Sequence, residues 1–139
     1  LNMITGIDHI AIAVSDIEAA IHRFVEDLQL PLDGRESVPS AQTVTAFLTQ
    51  QTTRLELVQP LAGAGPIAKF LSQRGDKGGL HHLCLSSDDL RGDIARLKAI
   101  GYEFIQAEPS LGAHGKQVVW IHPRSCDGLL IELCQAPPP

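Results

Sequence analysis

Cysteine is scarce in this chain of 139 residues, and the three that occur, Cys84, Cys126 and Cys134, show no Cys-x-x-Cys spacing. An odd number without paired spacing argues against a disulfide framework and indicates a reducing compartment. Cys84 and Cys134 fall within apolar segments. We therefore expect both to be buried packing residues.

Aromatic residues and basic tracts are also few. The chain has four Phe, one Trp and one Tyr, and 11 basic residues against 16 acidic ones give a formal charge of −5. This composition argues against binding to nucleic acid or to anionic lipid. No apolar run reaches the length of a membrane-spanning helix and no signal-peptide pattern occurs, so we expect a cytoplasmic protein. The hydrophobic content of 44% is sufficient for a globular core.

The chain contains an internal repeat. A histidine that enters an apolar strand occurs at His9 and again at His82, and each strand leads into a helix start. Each half then closes with a glutamate between apolar residues, Glu56 in the first and Glu132 in the second. The separations from His to Glu are similar, 9 to 56 and 82 to 132. Each half therefore offers one imidazole and one carboxylate on strands.

The hydrophobic periodicity predicts the same order of elements in both halves. In the first half we expect a strand over 7–14, a helix to about Leu28 that starts with a Ser15-x-x-Glu18 capping box, and strands over 43–49 and 54–59. A linker over 60–65 precedes a short helix over 66–74. The second half should contain a strand over 80–86, a helix over 88–100, and strands over 102–106, 116–122 and 129–135.

The predicted fold is therefore α+β, with two tandem βαβββ modules. The first module with its linker covers residues 1–65, and the linking helix with the second module covers residues 66–139, within one compact domain. We expect the two copies to pack about a pseudo-twofold axis as an open, curved mixed sheet around a metal site.

The four repeated polar residues are candidate metal ligands. His9 and His82 begin apolar strands, where an unsatisfied polar group costs about 1–3 kcal/mol. Two buried carboxylates, Glu56 and Glu132, would repel each other without a cation. Imidazole and carboxylate ligands suit Co, Ni, Zn, Mn or Fe(II) without selecting one of them. His81 is the competing residue, but neighbouring strand residues face opposite ways, and alignment with His9 favours His82.

The duplicated module with its His and Glu residues resembles the vicinal oxygen chelate superfamily, which includes glyoxalase I, extradiol dioxygenases and bleomycin resistance proteins. Within it, an ordered set of short motifs is similar to the methylmalonyl-CoA epimerase family. These motifs are Ile7-Asp8-His9-Ile10, Pro66-Ile67-Ala68-Lys69-Phe70-Leu71, Gly79-Leu80-His81-His82, Glu108-Pro109, Leu111-Gly112-Ala113-His114-Gly115-Lys116, His122-Pro123 and Leu130-Ile131-Glu132-Leu133.

The resemblance implies an activity and roles for these residues. A divalent metal held by His9, Glu56, His82 and Glu132 would stabilise the enolate formed when the proton alpha to a thioester carbonyl leaves. Glu132 matches the family's acid/base residue. One branch of the family carries a second acid/base Glu where this chain has Thr45, so we infer that Glu56 supplies the second carboxylate.

The resemblance also leaves several points open. Gly112, His114 and Lys116 are candidate contacts for the CoA thioester, although a tight turn alone would also explain the glycine. The same ligand pattern occurs in glyoxalase I, which is the alternative activity. A non-catalytic binder of the bleomycin-resistance type is a further alternative, which the retained His and Glu residues disfavour. The superfamily resemblance also implies a homodimer.

Overall fold

The computed structural model describes residues 3–139. Its helices and strands follow in the order β1 Ile4–Ala13, α1 Ile17–Ile21, β2 Leu32–Val38, β3 Thr43–Gln50, β4 Thr53–Pro60, α2 Pro66–Ser72, β5 Gly79–Ser87, α3 Leu90–Ala99, β6 Ser110–Leu111, β7 Gln117–Ile121 and β8 Ile131–Gln135. Both halves therefore have the predicted βαβββ order.

The chain forms two compact units. The N-terminal unit is His9–His81, and the C-terminal unit combines the start of the chain, up to Asp8, with His82–Pro139. The sequence repeat divides near residue 65, but helix α2 packs Ile67 and Leu71 against Ala11, Ala13 and Val58 of the N-terminal unit. For this reason the units divide within β1 and β5 rather than at the linker.

In the N-terminal unit the strands are ordered β2-β3-β4-β1. Strand β4 is antiparallel to β3 and parallel to β1, with Glu56 beside Ala11 on one side and Phe47 on the other. Alternate residues of these strands are buried against α1 in a core formed by Ile17, Ala20, Ala46, Leu48 and Leu57. This pairing places the end of β1 and the middle of β4 side by side.

Helix α1 starts differently from the predicted capping box. Its N-cap is Asp16, whose Oδ1 accepts a hydrogen bond from the amide of Ala19. The Ser15 hydroxyl instead donates to the carbonyl of Asp76 at 2.6 Å, and Glu18 pairs with Arg35. The helical region then continues as a π-helix over His22–Asp27, close to the predicted end.

In the C-terminal unit the strands are ordered β5-β8-β7-β6. Strand β8 is parallel to β5 and antiparallel to β7, with Glu132 beside Cys84 on one side and Trp120 on the other. Helix α3 buries Leu90 and Ile94 against Val119, Ile121 and Leu133. The pairing thus repeats that of the N-terminal unit.

The prediction of a strand over 102–106 is wrong. This segment makes a single bridge, from Phe104 to Ile121, and the strand that precedes β7 is the two-residue β6. Its backbone hydrogen bonds to β7 and the residue after it are sparse, with Ile105 donating to Trp120 and His122 donating to Glu103. Tyr102 and Phe104 therefore pack on the core without forming a continuous ladder, while Ile105 is exposed. Within residues 3–139, the helices are too short and too polar to cross a bilayer.

Candidate functional site

His9 and Glu56 form a buried pair in the N-terminal unit. The parallel register sets Ala11 beside Glu56, and His9 lies two residues earlier on the same face of β1. His9 Nδ1 lies 3.1 Å from Glu56 Oε2, and the two side chains are 9% and 8% exposed. A carboxylate at this depth must be paired with a cation or hydrogen-bond donors, because burial of an uncompensated charge is costly.

His82 and Glu132 repeat this arrangement in the C-terminal unit. The register sets Cys84 beside Glu132, and His82 lies two residues before Cys84. His82 Nε2 lies 3.7 Å from Glu132 Oε1, with side-chain exposures of 9% and 8%. The indole of Trp120 meets the imidazole of His82 edge to face, with ring centroids 4.7 Å apart. Trp120 thereby restricts the orientation of this imidazole.

The two pairs share a strand register as well as a sequence pattern, although the nitrogen that faces the carboxylate is Nδ1 in His9 and Nε2 in His82. In each unit a histidine lies two residues before the register partner of the glutamate, and both glutamates are buried. An imidazole with a carboxylate is a donor set that suits divalent transition metals. The described chain thus has residues that could hold a divalent metal ion, with donors of the predicted kind.

The neighbours of these residues have other roles. His81 stacks edge to face on Phe70 with centroids 5.0 Å apart, and burial lowers the pKa of its imidazole. Burial therefore favours a neutral imidazole at this position. Thr45 and Ala46 are buried in β3, and neither has an ionisable side chain that could serve as a second base.

The segment predicted to contact substrate is a tight turn. The amide of Gly112 donates to the carbonyl of Lys116 at 2.8 Å, and His114 is exposed with a left-handed φ of 59°. A side chain at Gly112 would place its Cβ 2.9 Å from Cγ1 of Val118, so close packing explains this glycine. Lys116 Nζ lies 2.5 Å from Asp8 Oδ2.

For two residues of this region the sequence predicts no role in the site. Asp8 lies within the motif that contains His9, but its partner Lys116 is 108 residues away and nothing in the sequence connects them. Trp120 was counted among the few aromatic residues, and only the β7–β8 register places it beside Glu132. The expectation that Cys84 and Cys134 are buried is confirmed.

Comparison with known proteins defines the class of protein. The model of the glyoxalase/bleomycin resistance protein/dioxygenase superfamily matches residues 8–120, and the chain belongs to this superfamily. It is 37% identical over 134 residues to the ethylmalonyl-CoA/methylmalonyl-CoA epimerase of Cereibacter sphaeroides, covering 96% of this chain and 99% of that protein. It is 34% identical to the mitochondrial methylmalonyl-CoA epimerase of Homo sapiens, covering 98% of this chain and 81% of that protein.

Solved structures agree with the sequence comparison. The crystal structure of methylmalonyl-CoA epimerase from Mycobacterium tuberculosis has a TM-score of 0.92 and 30% identity, covering 99% of this chain and 91% of that one. A methylmalonyl-CoA epimerase in complex with methylmalonyl-CoA and ammonium has a TM-score of 0.87 and 26% identity, covering 96% of this chain and 95% of that one. The predicted superfamily and fold class are therefore confirmed.

Proposed function

We propose that this chain is an epimerase that interconverts (R)- and (S)-methylmalonyl-CoA. The observation that supports this most is the duplicated pair, His9 with Glu56 and His82 with Glu132, in a chain 37% identical to an ethylmalonyl-CoA/methylmalonyl-CoA epimerase over nearly its whole length. The reaction removes the proton alpha to the thioester carbonyl from one face and returns a proton on the other. Two carboxylates suit these two proton transfers.

We propose that His9, Glu56, His82 and Glu132 together hold one divalent ion, of Co, Ni, Zn, Mn or Fe. The donor set supports this, since each buried carboxylate lies beside an imidazole and a cation would balance the buried negative charge. When bound, such an ion supplies stabilisation of the negative charge that develops on the thioester oxygen as the proton leaves.

Glu132 and Glu56 are the proposed acid/base groups. Each is 6% exposed, so water does not screen its interaction with a bound substrate as it would at the surface. Thr45 cannot take up a proton, and this leaves Glu56 as the second carboxylate. Trp120 contacts the imidazole beside Glu132 edge to face and so restricts the orientation of that imidazole.

The turn from Gly112 to Lys116 is the proposed contact for the CoA thioester. The exposed imidazole of His114 and the ammonium of Lys116 are donors on this turn, and the ammonium can donate to a ligand as well as to Asp8. The turn leads directly into β7, where Trp120 lies beside Glu132. This position close in sequence to a neighbour of a proposed acid/base residue supports the contact.

We also propose that the protein is a cytoplasmic homodimer. The three free cysteines fit a reducing compartment. The superfamily resemblance underlies the proposed dimer. Light scattering coupled to size-exclusion chromatography tests it, and a mass of one chain at micromolar concentration would contradict it.

Proton exchange tests the activity directly. The purified protein, loaded in turn with Co, Ni, Zn, Mn or Fe(II), is incubated with one epimer of methylmalonyl-CoA in deuterated water. Alpha-deuterium in the substrate together with appearance of the other epimer is the expected result. No exchange with any of the five metals would refute the proposal. Turnover of the methylglyoxal–glutathione adduct alone would favour glyoxalase I, and binding without turnover would favour a sequestering protein.

A further inference from the structure

A second group of metal-binding side chains lies within the C-terminal unit. One ligand atom from each of Asp8, Cys84 and Cys134 lies within 4.8 Å of the other two. Cys84 is fully buried and Cys134 is 2% exposed. In the parallel register Cys84 pairs with Glu132 and Ser86 with Cys134, so both thiols lie on the face that carries Glu132.

Two buried thiols and a mostly buried carboxylate share this cluster. Cys84 and Cys134 fill an apolar cluster with Val118, as small hydrophobic residues do. Asp8 adds a carboxylate to this cluster, and the side chain is only 12% exposed. Two sulfur atoms and a carboxylate oxygen together are a donor set typical of thiophilic divalent ions.

We propose that Asp8, Cys84 and Cys134 form a site for a thiophilic divalent cation of the Zn²⁺ or Cd²⁺ type, with sulfur donors that the His and Glu pairs lack. Two sulfur ligands at about 2.3 Å from a tetrahedral Zn²⁺ are about 3.8 Å apart, so two sulfur atoms already within 4.8 Å need to approach each other by no more than about 1 Å. The two thiols lose their protons to solvent as the two metal–sulfur bonds form.

The charge balance of the cluster is compatible with this binding. A divalent ion with two thiolates adds no net charge to the buried region, and the ion pair of Asp8 with Lys116 is also neutral. A carboxylate has two oxygen atoms, so Asp8 can accept from Lys116 and ligate an ion at the same time. Binding therefore does not require the ion pair to break.

The chemistry of the donors separates this site from the His and Glu pairs. Imidazole and carboxylate donors bind Mn²⁺ or Co²⁺ readily, whereas thiolate donors select softer ions. The cluster is thus expected to take Cd²⁺ through sulfur, while Mn²⁺ does not compete for it. The inference does not depend on the proposed epimerase activity.

Ultraviolet absorbance tests the site, because sulfur-to-cadmium charge transfer reports only sulfur ligation. The reduced protein is freed of reductant under argon, saturated with Mn²⁺ and titrated with Cd²⁺. One equivalent with a charge-transfer band is expected for the wild-type protein and for Cys126→Ser, the matched control. Cys84→Ser and Cys134→Ser should each lose most of the band, and Asp8→Asn should weaken binding by about tenfold or more.

Two results would overturn the inference. One is the absence of a charge-transfer band in the wild-type protein, and the other is an undiminished band in Cys84→Ser and Cys134→Ser. Cadmium-113 NMR of the wild-type protein provides a measurement that needs no variant. A resonance in the range of two-sulfur ligation is expected, and a resonance in the range of oxygen and nitrogen ligation alone would contradict the site.

Discussion

The ion pair of Asp8 with Lys116 should contribute a measurable coupling energy to the folding of the C-terminal unit. Lys116 Nζ lies 2.5 Å from Asp8 Oδ2, and the side chains are 19% and 12% exposed. We expect Asp8→Asn and Lys116→Met each to lower the free energy of unfolding, since either change leaves a mostly buried charge without its partner. The double variant should lose less than the sum of the two single losses.

The size of these losses in the free energy of unfolding follows from the distance between the two charged groups and from their burial. At an effective dielectric constant of about 20 the attraction at this distance is roughly 6–7 kcal/mol before desolvation is subtracted. Desolvation of both groups offsets most of it, so we expect each single variant to lose about 2–3 kcal/mol. The coupling energy should be about 2 kcal/mol. Each single loss corresponds to a fall in Tm of roughly 6–10 °C for a chain of this size.

Urea unfolding at equilibrium measures this coupling. Trp120, the only tryptophan, lies in the same unit as the ion pair and gives a local fluorescence signal. Arg91 and Glu108 form a matched control pair at 2.9 Å with exposures of 74% and 73%. Two single variants and the double variant of this control pair should give a coupling energy below about 1 kcal/mol. If the coupling of Asp8 with Lys116 is no larger than that of the control, the reasoning from burial is wrong.

Three further variants test the site, the turn and an exposed ion pair. Glu132→Gln should keep the circular dichroism spectrum while turnover falls about 100-fold or more, because its shape is kept and its proton transfer is lost; substantial residual turnover would contradict this role. Gly112→Ala should lower stability by about 1–2 kcal/mol because its Cβ would meet Val118, and Val118→Ala should restore part of that loss. A hydrogen bond from Arg35 lowers the pKa of Glu18. An NMR titration of the Glu18 carboxylate should therefore have its midpoint below 4.5, and Arg35→Gln should raise that midpoint. Since that pKa is lowered on folding, the associated stabilisation is present above the unfolded pKa and is lost as pH falls through the folded one.

The order of elements and the main polar pairs could be predicted because they rest on local pattern. Runs of alternating or continuous apolar residues predicted the bounds of β3 and β4 nearly to the residue. The internal repeat drew attention to both histidines and both glutamates. Strand alternation also distinguished His82 from His81, and in the structure His82 lies beside Glu132 while His81 contacts Phe70. These features need no knowledge of distant contacts.

The errors arise where distant contacts decide the local structure. Ser15 matches a capping pattern, but its hydroxyl bonds to the carbonyl of Asp76, and Asp16 caps the helix. The segment 102–106 has strand-like composition, yet it makes only one bridge, to Ile121. The partner of Lys116 is 108 residues away. Sequence pattern contains no signal for contacts at such separations.

The repeat makes the two carboxylates equivalent in register but not in surroundings. Glu56 lies between Ala11 and Phe47, whereas Glu132 lies between Cys84 and Trp120. The second copy thus replaces a methyl group by a thiol, and its indole also contacts the imidazole of the pair. An epimerase needs one group that takes the proton and another that returns it, and these roles exchange with the direction of reaction. The surroundings of the two glutamates therefore differ at both neighbouring positions although their register is equivalent, and an exchange of roles with direction does not require them to be alike.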